Sequence, residues 1–191
     1  MKSKDMIIRA MKRSKDERGL KVTKPNNYLS AGHIEKADHN LIVMTDLSKL
    51  GHEDWVVISA YYAMYQSATA LLTKIGLESK DHATTAAVLE YFFCEQISKE
   101  LMGKFNKLKE RKDKIEAIFI GEKYIDYLWK IKRARETVQY GISINYKEAD
   151  VVMSNAREFV NKIKLVLNEL DEKVIGIIAG KIKALNDVEK A

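Results

Sequence analysis

Pro25 is the only proline in the 191 residues, and glycines are few from Asn26 onward. A chain with so few breakers has little means of turning short strands. Its apolar residues instead recur at three- and four-residue steps, the repeat of helices with one buried face. The expected class is therefore all-α. The first helix is expected over 30–50, with Ile34, Ala37, Leu41, Met44 and Leu47 on one face. Gly51 closes it, and Glu53 or Asp54 can cap the next helix, "WVVISAYYAMYQSATALLTKI". That helix is apolar around most of its circumference, so it is expected at the centre. Its Ser59, Ala60, Ala63, Ser67 and Ala68 admit close neighbours, and Gly76 suits a C-terminal cap.

A third helix begins near Asp81 and runs toward Gly103, and a short fourth is expected before Phe119. Gly121 sets off "EKYIDYLWKIKRARETVQY", which stops at Gly141. The spacing of Asn145 and Glu148 resembles a capping box for a long last helix. Its residues Ala156, Phe159, Ile163, Val166, Leu170, Val174 and Ile177 form a heptad-like seam. Unbroken to residue 187 it would extend about 60 Å, too long for a compact bundle. A break or an oligomer contact is expected around Gly176 and Gly180.

Charge divides the chain. Residues 1–30 hold nine Lys/Arg against three Asp/Glu, which leaves 24 of each sign in the rest. The whole net charge of +6 thus belongs to an N-terminal stretch, which reads as a solvated basic arm over 1–27 or as a phosphate-binding one. No run reaches the roughly 18 apolar residues of a membrane span, and the N-terminus lacks the apolar core of a secretory signal. A cytoplasmic protein without membrane contact is expected. The lone Cys94, in "LEYFFCEQI", reads as a buried thiol. The histidines His33, His39, His52 and His82 form no helical i, i+4 pair, and ExxH and glycine-rich phosphate motifs are absent. Neither a metal nor a cofactor is expected.

Two places carry candidate chemistry. In "WKIKRARETVQYG", Lys132, Arg133 and Arg135 precede Gln139 and Tyr140. Arg135 and Gln139 share a helical face, with Tyr140 about 100° further round. Cations in the last turns of a helix also simply favour its negative end. In "SKDHATT", His82 falls in the first turn of its helix, where the dipole favours the neutral ring. A surface or capping role suits it, as does reach toward a neighbouring helix end. Tyr61, Tyr62 and Tyr65 of "AYYAMYQ" read as core residues for at least two of the three.

Taken in order, "HIEKADHNLIVMTDL", "AYYAMYQSATALL", "KDHATTAAVLEYFF" and "LWKIKRARETVQYG" resemble the HEPN superfamily (higher eukaryotes and prokaryotes nucleotide-binding), over about residues 28–170. The basic arm and a C-terminal extension over 171–191 fall outside. The resemblance implies an up-and-down bundle of four main helices plus a short one, usually paired as a homodimer. In ribonuclease members an Arg and, a few residues on, a His meet their copies across the dimer cleft. The His moves the proton of the RNA 2′-hydroxyl and the Arg holds the phosphate. Carried over, the Arg is Arg135, or less closely Arg133, and Tyr140 occupies the His position. Tyrosine, with a pKa near 10, is a poor base at neutral pH, whereas histidine near 6.5 is suited to the task. Gln139 stands where many relatives carry an acid, which makes the cleft more hospitable to phosphate. Some members pair with a nucleotidyltransferase that modifies a tyrosine two positions past the His; Ile142 stands there, and Tyr146 is too loosely placed to substitute. The leading expectation is a non-catalytic or weakly catalytic protein that binds nucleotide or RNA phosphate in a dimer cleft through Arg135, Gln139 and Tyr140, as part of a toxin–antitoxin or defence pair. The alternatives are an active metal-independent ribonuclease toxin, with His82 or a partner's histidine as base, and a structural helical interaction module.

Overall fold

The computed structural model describes residues 2–16, 19–96, 118–141 and 148–190. In chain order these form α1 (Lys2–Lys12), β1 (Leu20–Val22), α2 (Asn27–Lys49), α3 (Glu53–Lys74), β2 (Leu77–Ser79), α4 (His82–Leu89) running into a π-helical stretch (Glu90–Gln96), α5 (Glu122–Tyr140), α6 (Ala149–Glu169) and α7 (Glu172–Lys190). The four long helices α2, α3, α5 and α6 make the bundle. The all-α expectation holds, with one small sheet added.

α3 is the central helix. Val56, Ala60, Tyr61, Met64, Ala68 and Leu71 are each at most 1% exposed, and they face α2, α5, α6 and α4. Its small residues admit close approach: the Ser30 hydroxyl of α2 donates to the Ala70 carbonyl at 2.8 Å. α2 starts where Asn26 Oδ1 accepts the Leu29 N–H at 2.9 Å, a few residues before the expected start. It ends at Gly51, φ 77°. His52 occupies the position before α3, and Glu53 and Asp54 follow in its first turn rather than capping it, where acids suit the helix dipole. Gly76, φ 79°, ends α3. Its carbonyl accepts the Thr23 N–H at 2.9 Å, which sends the chain into β2 beside β1. The strands are antiparallel, with Leu20 opposite Ser79 and Val22 opposite Leu77.

The two chain ends differ from expectation. The basic stretch is not a solvated arm: Ile7, Ala10 and Met11 of α1 step by three and one, lie buried in the main core and pack toward α4, while Lys4, Arg9 and Lys12 face solvent. Burying a side chain such as Ile7 is worth about 1.5–3 kcal/mol, enough to hold a short amphipathic helix in place. The last helix does break, at Leu170 and Asp171 rather than at the glycines. Asp171 Oδ1 accepts the Val174 N–H at 2.9 Å and starts α7. Val174, Ile178, Ile182 and Leu185 then bury against the core, and α7 packs on α1. Gly176 and Gly180 sit inside α7 with open space beside them. Asn145, the short fourth helix and the stretch up to Gly103 lie outside the described residues. Glu148 precedes α6 without a side-chain cap bond. Cys94 is half-buried, its thiol donating to the Ile120 carbonyl.

Candidate functional site

The site forms where α3, the start of α4 and the second half of α5 meet. α4 is fixed at its first turn by Asp81, whose Oδ2 accepts the Thr84 N–H at 2.8 Å and the Thr84 hydroxyl at 2.6 Å. His82 therefore begins the helix at a defined place beside α3. The Tyr61 hydroxyl hydrogen-bonds His82 Nδ1. The His82 ring lies 4.1 Å from the ring of Tyr65 and 5.3 Å from that of Tyr61, centroid to centroid. From α5, the Arg135 guanidinium sits 4.8 Å over the Tyr61 ring. Arg135 Nε is buried and has no hydrogen-bond partner among the described residues.

Burial sets the protonation states. Desolvation pushes the Tyr61 hydroxyl well above its usual range, against the pull of Arg135, and it raises Tyr65 likewise. The same desolvation, followed by repulsion from Arg135, holds His82 below its ordinary value. At neutral pH the phenol is protonated and the imidazole neutral. A neutral imidazole carries one N–H. With the Tyr61 O–H donating to Nδ1, the ring proton sits on Nε2 and is available as a donor; with the roles reversed, Nε2 is an acceptor and a base. On the neighbouring turn, Lys132 Nζ contacts Glu136 at 2.7 Å and holds that carboxyl below the usual range. Glu136 is thus engaged by Lys132, and among the described residues no carboxylate forms a salt bridge with Arg135.

Of the residues singled out in the sequence, Arg135 and His82 are brought together, with Lys132 close enough to act on His82 electrostatically. Arg133, Gln139 and Tyr140 are not drawn in. All three are exposed, Tyr140 at 74%, and among the described residues no side-chain hydrogen bond, ion pair or ring contact joins them to Arg135 or His82. Ile142 and Tyr146 lie outside the described residues. Tyr61, one of three tyrosines of which at least two read as core in the sequence, is 1% exposed and yet the link between the other two. Its signal was a buried hydroxyl in need of one partner. Tyr65 is half-buried and packs against the core from its edge, while Tyr62 is 38% exposed.

Among the described residues no group of three His, Cys, Asp or Glu is placed to hold a metal ion. No helix there is long and apolar enough to cross a membrane. No curated protein matches the chain. A family model described as HEPN domain matches residues 31–170. That stretch runs from the first turns of α2 to the end of α6 and contains Tyr61, His82 and Arg135. With nearly three quarters of its length matched, and in an arrangement of four long helices, the chain belongs to the HEPN domain family.

Proposed function

We propose that this HEPN domain binds the phosphate of RNA or of a nucleotide at the Arg135–Tyr61–His82 cluster, with binding rather than turnover as its main output. One observation carries the reading. Arg135 is held 4.8 Å over an aromatic ring, its Nε buried and unpartnered, with no salt-bridging carboxylate among the described residues. A cation kept in place by its stem and an aromatic ring, rather than by a counter-ion, is suited to receive an anion. His82 adds a donor when its proton is on Nε2. Gln139 and Tyr140, exposed at the end of α5, supply further donors to a longer ligand.

A specific observation favours a second reading, metal-independent RNA cleavage. His82 is neutral at pH 7, and the tautomer with a bare Nε2 beside a phosphate-binding arginine is a competent base. A homodimer fits either reading. Trp55 and Tyr62, two turns apart on α3, are 56% and 38% exposed, and the Tyr62 ring meets Tyr61 edge-on at 5.3 Å. A second copy covering that face would border the cluster. Membership of a toxin–antitoxin or defence pair, with a nucleotidyltransferase as partner, rests on the family alone.

The test is binding of a fluorescent single-stranded RNA to wild type, Arg135→Ala and His82→Ala, with cleavage followed on gels in a chelator. Binding without cleavage, lost in Arg135→Ala, is the expected result. Cleavage that survives the chelator and stops in His82→Ala selects the second reading. Equal RNA binding by wild type and Arg135→Ala would remove both.

A further inference from the structure

Part of the positive charge of the first thirty residues gathers at the hairpin. Lys15 precedes β1, Lys21 lies in it, Lys24 follows it, and Lys80 follows β2. All four are exposed, and none has an ion-pair partner among the described residues. Two clefts meet along this hairpin. A small one is lined by Lys15, Lys21 and Lys80, with Asp16 among them. The other is a groove of about 550 Å³ between the hairpin and the α2–α3 pair, lined by Lys24, Lys80, Leu29, Gln66 and Tyr65 among others. Glu78 and Ser79 border both.

Tyr65 joins this groove to the site already described. It lines the groove, and its ring packs at 4.1 Å against His82. Tyr28, 86% exposed, stands on α2 between the lining residues Asn26 and Leu29. Unpaired cations along two adjoining clefts, with a largely exposed aromatic residue in the first turn of the adjoining helix, are a combination suited to a single strand: the cations take successive phosphates and an exposed ring can stack a base. A mononucleotide held at Arg135 would leave all of this unused. Lys15, Lys21, Lys24 and Tyr28 precede residue 31, where the family match begins, whereas Tyr65, Gln66 and Lys80 lie within it, so the surface is built from both sides of that boundary.

We propose that the groove beside the β1–β2 hairpin is a second subsite, which binds the phosphates of single-stranded RNA flanking the one held at Arg135, with Tyr28 as a stacking platform. The proposal rests on the Arg135 reading and makes the ligand a strand of several nucleotides rather than a free nucleotide.

The experiment compares a fluorescent RNA dodecamer with a trinucleotide, on wild type, Arg135→Ala, Tyr28→Ala, Glu78→Gln and the triple variant Lys21→Ala/Lys24→Ala/Lys80→Ala. The substituted side chains on the hairpin are exposed, and thermal melts verify that the fold is kept. For the dodecamer, the triple variant is expected to bind at least ~10-fold more weakly, and its log K against log salt slope to fall by about 2, at roughly 0.7 per phosphate for single strands. Tyr28→Ala is expected to weaken the dodecamer by about tenfold, and Tyr28→Phe to restore it. Glu78→Gln, which removes the carboxylate common to both clefts, strengthens it. The trinucleotide binds the triple variant as it binds wild type and is lost in Arg135→Ala. Wild-type dodecamer affinity and slope in the triple variant would overturn the subsite and leave the Arg135 reading standing. Trinucleotide binding undiminished in Arg135→Ala would overturn that reading itself. A DNA duplex of the same length bound as tightly as the RNA would also sink the subsite, since it would mark the lysines as a general polyanion surface.

Discussion

Arg135→Met separates a binding arginine from a structural one. Methionine keeps an unbranched stem of similar reach over the Tyr61 ring but removes the charge and the buried Nε. Three contributions set the change in stability. The lost cation–π contact at 4.8 Å costs roughly 0.5–2 kcal/mol. A thioether over the ring returns about 0.3–1.5 kcal/mol. Removing a buried, unpartnered Nε returns the penalty of an unsatisfied donor, about 1–3 kcal/mol. The net runs from a loss of about 0.7 kcal/mol to a gain of about 4 kcal/mol, so the substitution is expected to be neutral to stabilising. For a chain of this length each kcal/mol shifts the midpoint by about 2–4 °C. Thermal denaturation in phosphate-free buffer measures it. Repeating the melt with inorganic phosphate at about ten times its Kd should then stabilise wild type by about 1.4 kcal/mol through linkage, and Arg135→Met by nothing. A loss above about 3 kcal/mol, or equal phosphate stabilisation of both proteins, would refute the reasoning and make Arg135 a residue of the fold.

Other expectations follow from named contacts. His82 is held below its ordinary pKa by burial, so its neutral form is favoured in the native state. The unfolded chain protonates first as pH falls through about 6.5, and the stability present above that value declines toward the lower native pKa. Urea titrations from pH 7.5 to 5 should show wild type losing more than His82→Gln; parallel curves would contradict this. The Tyr61–His82 bond should appear as a coupling of about 1 kcal/mol in a Tyr61→Phe/His82→Ala cycle, where strict additivity would deny it. Gly76 has φ 79°, and a Cβ there would lie 2.8 Å from the Thr23 carbonyl oxygen, so Gly76→Ala should cost about 1–3 kcal/mol in chemical denaturation. By contrast Lys164→Met, which removes the 2.6 Å pair with Asp38 between α6 and α2, should cost less than about 1 kcal/mol because both groups are substantially exposed.

Much of the bundle was legible because its signals are local. The face of Ala37 and Met44, the turns at Gly51 and Gly76, and the apolar girth of α3 are matters of periodicity and φ, and each stands where the residues put it. The hairpin was not legible: "LKV" and "LES" are too short to show a two-residue period, and they pair only because Gly76 turns the chain back beside Thr23. The break before α7 was misplaced for a related reason. Glycine inside a helix is tolerated at about 1 kcal/mol, whereas Asp171 supplies a cap and the following apolar residues find a surface on α1. At the site, Arg135 and His82 were each visible as unusual residues. Their meeting depends on how α4 leans on α3 and α5, a tertiary fact that no spacing within one helix encodes. Tyr61, the ring that joins them, was indistinguishable from its core neighbours until a hydroxyl partner appeared.

The pairing of α1 with α4 gives the chain ends a bearing on chemistry. His82 stands at the first turn of α4, and what lies behind that helix is α1, itself clasped by α7. Both clasping helices fall outside the span that the HEPN family model matches. A fragment trimmed to that span would take away the strand beside β2, leaving an open sheet edge, and would strip the backing from α4. Its histidine would then be free to drift away from Tyr61. The matched span of such a protein is thus backed from outside: the helix that carries the imidazole rests on α1, and α1 in turn packs on α7, elements from the two far ends of the chain.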